Sequence, residues 1–175
     1  MRREAVTRTR VVELALAIAD VEGLQALTMR RLADALGTSP MAAYKHIRSK
    51  PELLEAMVEA TMETVPEPDP HISVHDQLRG FFTDMYTALD RHPSAGHVMI
   101  AGRVAGPVTQ RRGQRVMHAL ETAGMSPEDA ATAFVSLASF TVGAALVASV
   151  RPEDSDEPFT IGLEHLLAGF IGLGP

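Results

Sequence analysis

Thr28-Met29-Arg30-Arg31-Leu32-Ala33-Asp34-Ala35-Leu36-Gly37, followed directly by Thr38-Ser39-Pro40-Met41-Ala42-Ala43-Tyr44-Lys45-His46-Ile47, decides how the chain is read. Thr28 is an N-cap residue, and Leu32, Ala33 and Leu36 recur on one helix face before Gly37 stops the helix. Ser39-Pro40 announces a second helix, a cap hydroxyl followed by proline, with Met41 to Ile47 as its body. That body is too short to stand without neighbours. Two short helices joined by a tight turn form a helix-turn-helix, whose second helix is offered to the major groove of DNA. Ala33 and Gly37 stand four apart, a small residue where the helices touch and a glycine where the backbone turns; that spacing by itself is common in helical proteins.

The flanks continue the pattern. Upstream, Val11, Leu14, Ala15, Ile18 and Ala19 recur with helical spacing and Gly23 stops them. Downstream, Ser49-Lys50-Pro51-Glu52 is a capping box, and Leu53, Leu54, Met57 and Val58 supply an apolar face. Val65-Pro66-Glu67-Pro68-Asp69-Pro70 cannot be helical, because its prolines alternate with acidic residues. It divides the chain into a DNA-binding head, 1–64, a linker, 65–73, and a body, 74–175. In the body a helix is expected from Val74 to Arg91, burying Leu78, Phe81, Phe82, Met85 and Leu89 and ended by His92-Pro93. A short segment from Val98 to Arg103 and a helix from Pro107 to about Thr122, closed by Gly124, come next. Ser126-Pro127-Glu128-Asp129 then opens a long uncharged helix, Arg151 to Pro158 is an acidic loop, and Phe159 to Leu173 makes the last helix. No strand pattern or internal repeat occurs. The expected fold is all-α, with about nine helices: a three-helix head carrying the helix-turn-helix, then a helical C-terminal dimerisation and ligand domain.

Composition narrows the function. Of 175 residues none is cysteine, which excludes disulfides, zinc–cysteine sites and thiol catalysis and fits a reducing cytoplasm. Hydrophobic residues make up 46%, enough for a substantial core. The N-terminus has no apolar stretch of the kind a signal peptide needs after its charges. Residues 1–50 carry nine Lys/Arg against five Asp/Glu, a net of +4, whereas the remainder carries seven against seventeen, a net of −10. A basic head on an acidic body is the asymmetry expected when one end meets a polyanion.

From Ala130 to Val150 there are 21 consecutive uncharged residues, the length of a membrane span. Thr132, Ser136, Ser139, Thr141 and Ser149 interrupt it, and no Trp or Tyr flanks it. A helix buried within a protein assembly explains the stretch better than a membrane does.

The head resembles the tetracycline-repressor (TetR) family of bacterial regulators. The resemblance lies in Leu27 to Gly37, in Ala43-Tyr44-Lys45-His46-Ile47 and in Ser49-Lys50-Pro51-Glu52-Leu53-Leu54, in order and spacing, over roughly residues 8 to 60. His46 and Pro51 resemble the tetracycline-repressor branch in particular, as does the C-terminal stretch Phe159 to Gly169. Between 65 and 157 the family is too variable to help.

The resemblance implies roles for Thr28, Arg30, Ser39, Pro40, Met41, Ala42, Tyr44, Lys45, His46 and Lys50 in binding DNA. Thr28 and Ser39 cap the two helices. Arg30 is the best base-reading candidate, since a bidentate arginine–guanine contact is the commonest specific one. Arg31 is either a second contact or plainly solvent-exposed. Tyr44 would set its hydroxyl on a phosphate while its ring packs on the recognition helix. Lys45 and His46 face the backbone or base edges, and Lys50 pairs with a phosphate at the next helix N-terminus. Pro40, Met41 and Ala42 lie at the groove floor, where apolar contacts recognise thymine methyl groups; this departs from the more polar recognition helices of the family. Arg2, Arg3, Arg8 and Arg10 form a basic arm, either a minor-groove reader or a phosphate tether.

A regulator of this kind gains affinity by symmetric pairing on a palindromic operator, its two heads about 34 Å apart. The helices at 127–150 and 159–173 are the expected homodimer pair, and the resemblance implies a four-helix bundle across a two-fold axis. Residues 74 to 124 are expected to enclose a pocket for a small-molecule effector, with Phe81, Phe82, Met85, Met99, Met117 and Phe140 as lining and His97 and His118 as polar contacts. No cofactor and no metal are expected, and no membrane partner. Glu121, Glu128, Asp129 and the histidines could do acid–base work in an enzyme, but no nucleophile motif or Gly-rich phosphate loop accompanies them. The reading is a repressor of transcription, released from its operator by effector binding.

Overall fold

The computed structural model describes residues 6–39, 41–42, 45–102, 106–150 and 156–172. Eight helices are described: α1 (Arg8–Glu22), α2 (Met29–Ala35), α3 (Lys50–Glu63), α4 (Val74–Arg91), α5 (Pro93–Ile100), α6 (Pro107–Thr122), α7 (Pro127–Ala148) and α8 (Asp156–Ile171). The described residues contain no strand. The architecture is all-α, as the periodicities require.

Side-chain caps set most of the helix starts. Thr7, Thr28, Ser49, Ser73 and Ser126 each sit at an N-cap and accept a backbone N–H from the first turn of α1, α2, α3, α4 and α7. At Ser49 the capping box is shifted by one residue: Glu52 accepts from the Arg48 N–H at 2.8 Å, one position before the cap. Gly37 and Gly124, with φ of +62° and +97°, close α2 and α6. The N–H groups of Thr38 and Met125 reach back to Ala33 and Leu120, the Schellman pattern that only a left-handed residue allows.

Three boundaries differ from the sequence expectation. His92-Pro93 ends α4 but also starts α5, because proline is well placed in a first turn; α5 is therefore Pro93–Ile100 rather than a segment from Val98 to Arg103. The last helix begins at Asp156 instead of Phe159, with Pro158 accommodated in its first turn. The expected helix from Met41 to Ile47 is described as helical only at Met41 and Ala42, whereas Lys45 and His46 form a turn and Ile47 is buried outside any helix.

One hydrophobic cluster runs through head and body. Val11, Ala15, Ile18, Leu27, Leu32, Ile47, Leu53 and Met57 fill the head, and Leu78, Phe82, Leu89, Leu120, Leu137, Leu163 and Leu167 continue into the body. α7 packs on α4, α5, α6 and α8, making it the centre of the body. It is the one described helix long and apolar enough to cross a membrane. Its hydroxyls are absorbed locally: Thr132, Ser136 and Thr141 donate to the carbonyls of Glu128, Thr132 and Leu137. An aromatic stack ties α4, α7 and α8 together, with Tyr86 4.1 Å from Phe159 and Phe159 5.8 Å from Phe140, all nearly parallel. Gly162 makes room for it, since a methyl group there would come within 2.5 Å of the Phe140 ring.

Phe82 has 0% exposure and meets Phe81 edge to face at 5.2 Å. Phe82→Ala is expected to destabilise the fold by about 3–5 kcal/mol, read as a lowered urea midpoint at unchanged slope. A loss below about 1 kcal/mol would mean that the centre of α4 repacks without cost.

Candidate functional site

The head presents one candidate surface. Thr28 accepts the Arg31 N–H at 3.1 Å at the start of α2, and Ser39 accepts the Ala42 N–H at 3.3 Å where Met41 and Ala42 are helical. Gly37 turns the chain between them. Met41 is 74% exposed, an apolar side chain that enters no core. Lys45 is exposed and His46 half-buried beside it. Pro40, Ala43 and Tyr44 lie outside the described residues, as do Arg2 and Arg3.

The arginines separate by their partners. Arg31 reaches back to Glu22 of α1 through Nε at 3.1 Å and Nη2 at 2.5 Å, a two-point pair that occupies it within the head. Arg30, next in the chain, is exposed and not part of that pair. Arg8 bridges the Glu52 carboxylate at 2.7 Å and the His46 carbonyl at 3.0 Å, joining α1 to the end of the motif and to α3. It therefore acts as a brace, whereas the sequence suggested a free arm. Lys50 donates to the Leu24 carbonyl at 3.3 Å and stays exposed at the N-terminus of α3. The sequence showed these cations without their partners, which lie 9 to 44 residues away along the chain.

The carboxylates of these braces are held below their ordinary range. For Glu52 the Arg48 backbone N–H is the larger cause and the Arg8 guanidinium the next. For Glu22 it is the hydrogen bond from Arg31, and for Glu67 that from Arg111.

The expected effector residues are not all brought together. Phe81, Phe82 and Met85 are buried in the core of α4, Met99 and Met117 are half-buried on α5 and α6, and Phe140 stands in the aromatic stack. His97 is exposed and lines a cleft of about 400 Å³ with Asp20, Leu24, Ser94 and Ser149, away from that core, and His118 is exposed on α6. A second groove of about 460 Å³ runs between α1 and α3 to Pro107, floored by Val12, Leu16, Ala56 and Ala60 and edged by Glu13, Glu55 and Glu59. Tyr86 and Phe159 are the aromatic residues that the sequence reading left out of this region.

The expectation of no metal passes over His71 and His75, which stand four apart beside Asp69 and Asp76. His75 is paired with Glu164 of α8 at 3.0 Å, and the described residues bring no three metal-ligating side chains together.

Among the described residues, polar contacts of Asp20, Glu59 and Arg112 join the head to the body and to the chain that leads into it. Asp20 of α1 accepts the Ser94 N–H at 3.0 Å and meets His92 Nδ1 at 2.8 Å. Glu59 of α3 accepts the Val108 N–H at 2.7 Å and the Thr109 N–H at 3.0 Å, and also takes the Thr109 hydroxyl. Arg112 of α6, only 5% exposed, donates to the carbonyls of Val65 at 2.7 Å and Glu63 at 3.2 Å, where α3 ends.

Comparison with known proteins agrees with this geometry. Residues 11–57 match the family model of bacterial regulatory proteins, tetR family, and residues 67–151 match that of the tetracyclin repressor-like C-terminal domain. The chain is 31% identical to tetracycline repressor protein class C of Escherichia coli over 90% of its own length and 70% of that protein's. It is 28% identical to an HTH-type transcriptional regulator of Saccharopolyspora erythraea over 93% of itself and 70% of that protein. Among solved structures, ActR of Streptomyces coelicolor in complex with actinorhodin gives a TM-score of 0.82 at 28% identity, over 97% of this chain and 98% of that one. BioQ of Mycobacterium smegmatis gives 0.84 at 25%, over 97% and 100%. BioQ with its double-stranded DNA operator gives 0.80 at 26%, over 96% and 99%.

A carboxylate whose pKa falls on folding contributes stability above its unfolded value and loses it as pH falls toward the folded one. Stability is thus expected to be level from neutral pH to about 5 and to decline below about 4.3 as Glu22, Glu52 and Glu67 protonate. Urea midpoints measured from pH 7 down to 3 check this; an unchanged midpoint at pH 3 contradicts it.

Proposed function

The chain belongs to the tetR family of bacterial regulatory proteins, and on that premise we propose that it represses transcription as a homodimer on a palindromic operator and is released by a small molecule. It is a regulator rather than an enzyme, and it works in the cytoplasm, where DNA is. The observation that carries the reading is the head: the hydroxyl-capped α2 and the left-handed Gly37 turn lead into the Ser39-capped turn at Met41 and Ala42, inside a segment that matches the family model. ActR with actinorhodin and BioQ with its operator supply the two halves of the mechanism in relatives. In this chain Arg30 reads a base edge, while Lys45, His46 and Lys50 hold phosphates. Arg31, occupied by Glu22, stands apart from recognition.

The dimer forms through α7 and α8. Along α7 the exposed Thr132, Val135, Ser139 and Val147, with Gly143 among them, make an uncharged stripe at helical spacing. Ile161, His165, Ala168 and Gly169 do the same along α8. Gly143 and Gly169 face open space, so a second copy approaches there closely. Such a stripe is what a two-fold bundle buries. The effector enters the body between α4, α6 and α7, beside Phe81, Phe82, Met85, Met99, Met117 and Phe140, and favours a conformation with the heads wrongly spaced.

Selection of bound duplexes from a random pool is expected to enrich a palindrome, with affinity falling steeply with salt. Arg30→Ala is expected to cost about 1–3 kcal/mol and to relax one base pair per half-site, while Lys50→Ala weakens all duplexes about equally. Val135→Arg is expected to shift the protein from dimer to monomer in sedimentation and to abolish operator binding. A shallow salt slope without an enriched sequence sinks the reading.

A further inference from the structure

We propose that Glu59 and Asp20 are positioning residues for operator recognition: they cap two body helices from the head and thereby fix the angle of each head in the dimer. The inference rests on the regulatory reading above. Its starting point is a pattern among the helix starts. The five helices α1, α2, α3, α4 and α7 carry their own hydroxyl caps, but α5 and α6 have none. Four N–H groups at a helix start have no partner within the helix, and the end carries partial positive charge. For α5 and α6 a carboxylate of the head fills that role, Asp20 on Ser94 and Glu59 on Val108 and Thr109.

Glu59 fits this role because of Gly106. The N-cap of α6 is glycine in extended conformation, with φ −73° and ψ 170°, a backbone that any residue adopts. Conformational freedom is therefore not what the glycine supplies. A Cβ there would collide with the Glu59 carboxyl, so Gly106 gives up a local cap and leaves space for one from α3. Arg112 completes the joint from the other side, binding the carbonyls at the C-terminal end of α3, where a cation is favoured. Anchored in this way on both α1 and α3, the head cannot tilt without uncapping a helix.

The test separates the joint from folding and from base reading. In the double variant Glu59→Ala, Gly106→Ser the new serine caps α6 locally while the link to α3 is removed, so α6 keeps its start. Duplexes are built from the palindrome enriched by the unaltered protein, with one to three base pairs inserted or deleted between half-sites, together with a single half-site. The unaltered protein is expected to lose about tenfold or more in affinity per displaced base pair, because rigid heads match one separation. In the double variant that preference is expected to flatten to about threefold or less, with half-site affinity and melting temperature close to unaltered. Glu59→Gln, which keeps the shape but sets an amide N–H against backbone N–H groups, is expected to fall between. A double variant with an equally sharp spacing profile overturns the proposal, and so does a parallel loss on the half-site. If the unaltered protein enriches no sequence, the regulatory reading itself fails, a result distinct from either.

Discussion

Charge at helix ends holds this molecule together as a device. A helix start exposes unpaired N–H groups and a positive end, and something must answer them. Most helices here answer with a hydroxyl one residue upstream. α5 and α6 answer with carboxylates from α1 and α3, and the C-terminal end of α3 is answered by a guanidinium from α6. A local cap stabilises one helix, whereas a cap supplied from another element also fixes the relation between the two. The head is thus bonded to the body through the groups that the body helices need, and a shared apolar core alone would leave it freer to slide.

The second constraint is close approach. Gly162 admits the Phe140 ring, and a Cβ added at Gly113 of α6 would lie 3.1 Å from the Phe134 ring. With Tyr86, Phe159 and Phe140 stacked, α4, α7 and α8 form one packed unit. The stripes of α7 and α8 that remain uncovered carry no Asp, Glu, Lys or Arg and mix apolar Val135, Val147 and Ile161 with small residues. The face proposed to pair with a second copy thus belongs to two of the helices that carry the aromatic stack. In a regulator this arrangement is useful, because a change in the body and a change at the dimer face involve the same helices. Linkage between two sites requires such a shared element.

Within the head, the sorting of cations follows from partner geometry rather than from sequence position. Arg30 and Arg31 are neighbours on α2, yet one points to solvent and the other pairs with Glu22. Arg8, which reads as part of a basic arm, is a brace between Glu52 and the His46 carbonyl. A basic segment is therefore not a uniform DNA-binding surface. Some of its charge holds the motif in shape for the rest.

The sequence by itself determined the helices and their class. Period, cap residues and turn glycines are local signals, which is why Thr28, Ser49, Ser73, Ser126, Gly37 and Gly124 stand where their chemistry requires. It also identified the family, since the motif is a short, contiguous pattern. Proline misled it twice, at Pro93 and Pro158, because proline ends one helix as readily as it opens the next and only the surrounding chain decides. The tertiary structure alone decided which charges meet. Glu59 and Thr109 are 50 residues apart, Asp20 and Ser94 are 74 apart, and Arg8 and Glu52 are 44 apart. No local rule selects such partners. The helix-turn-helix at Thr28 to Ile47 was readable because its physics is local; the joint that aims it was not, because its partners meet only after the chain has folded.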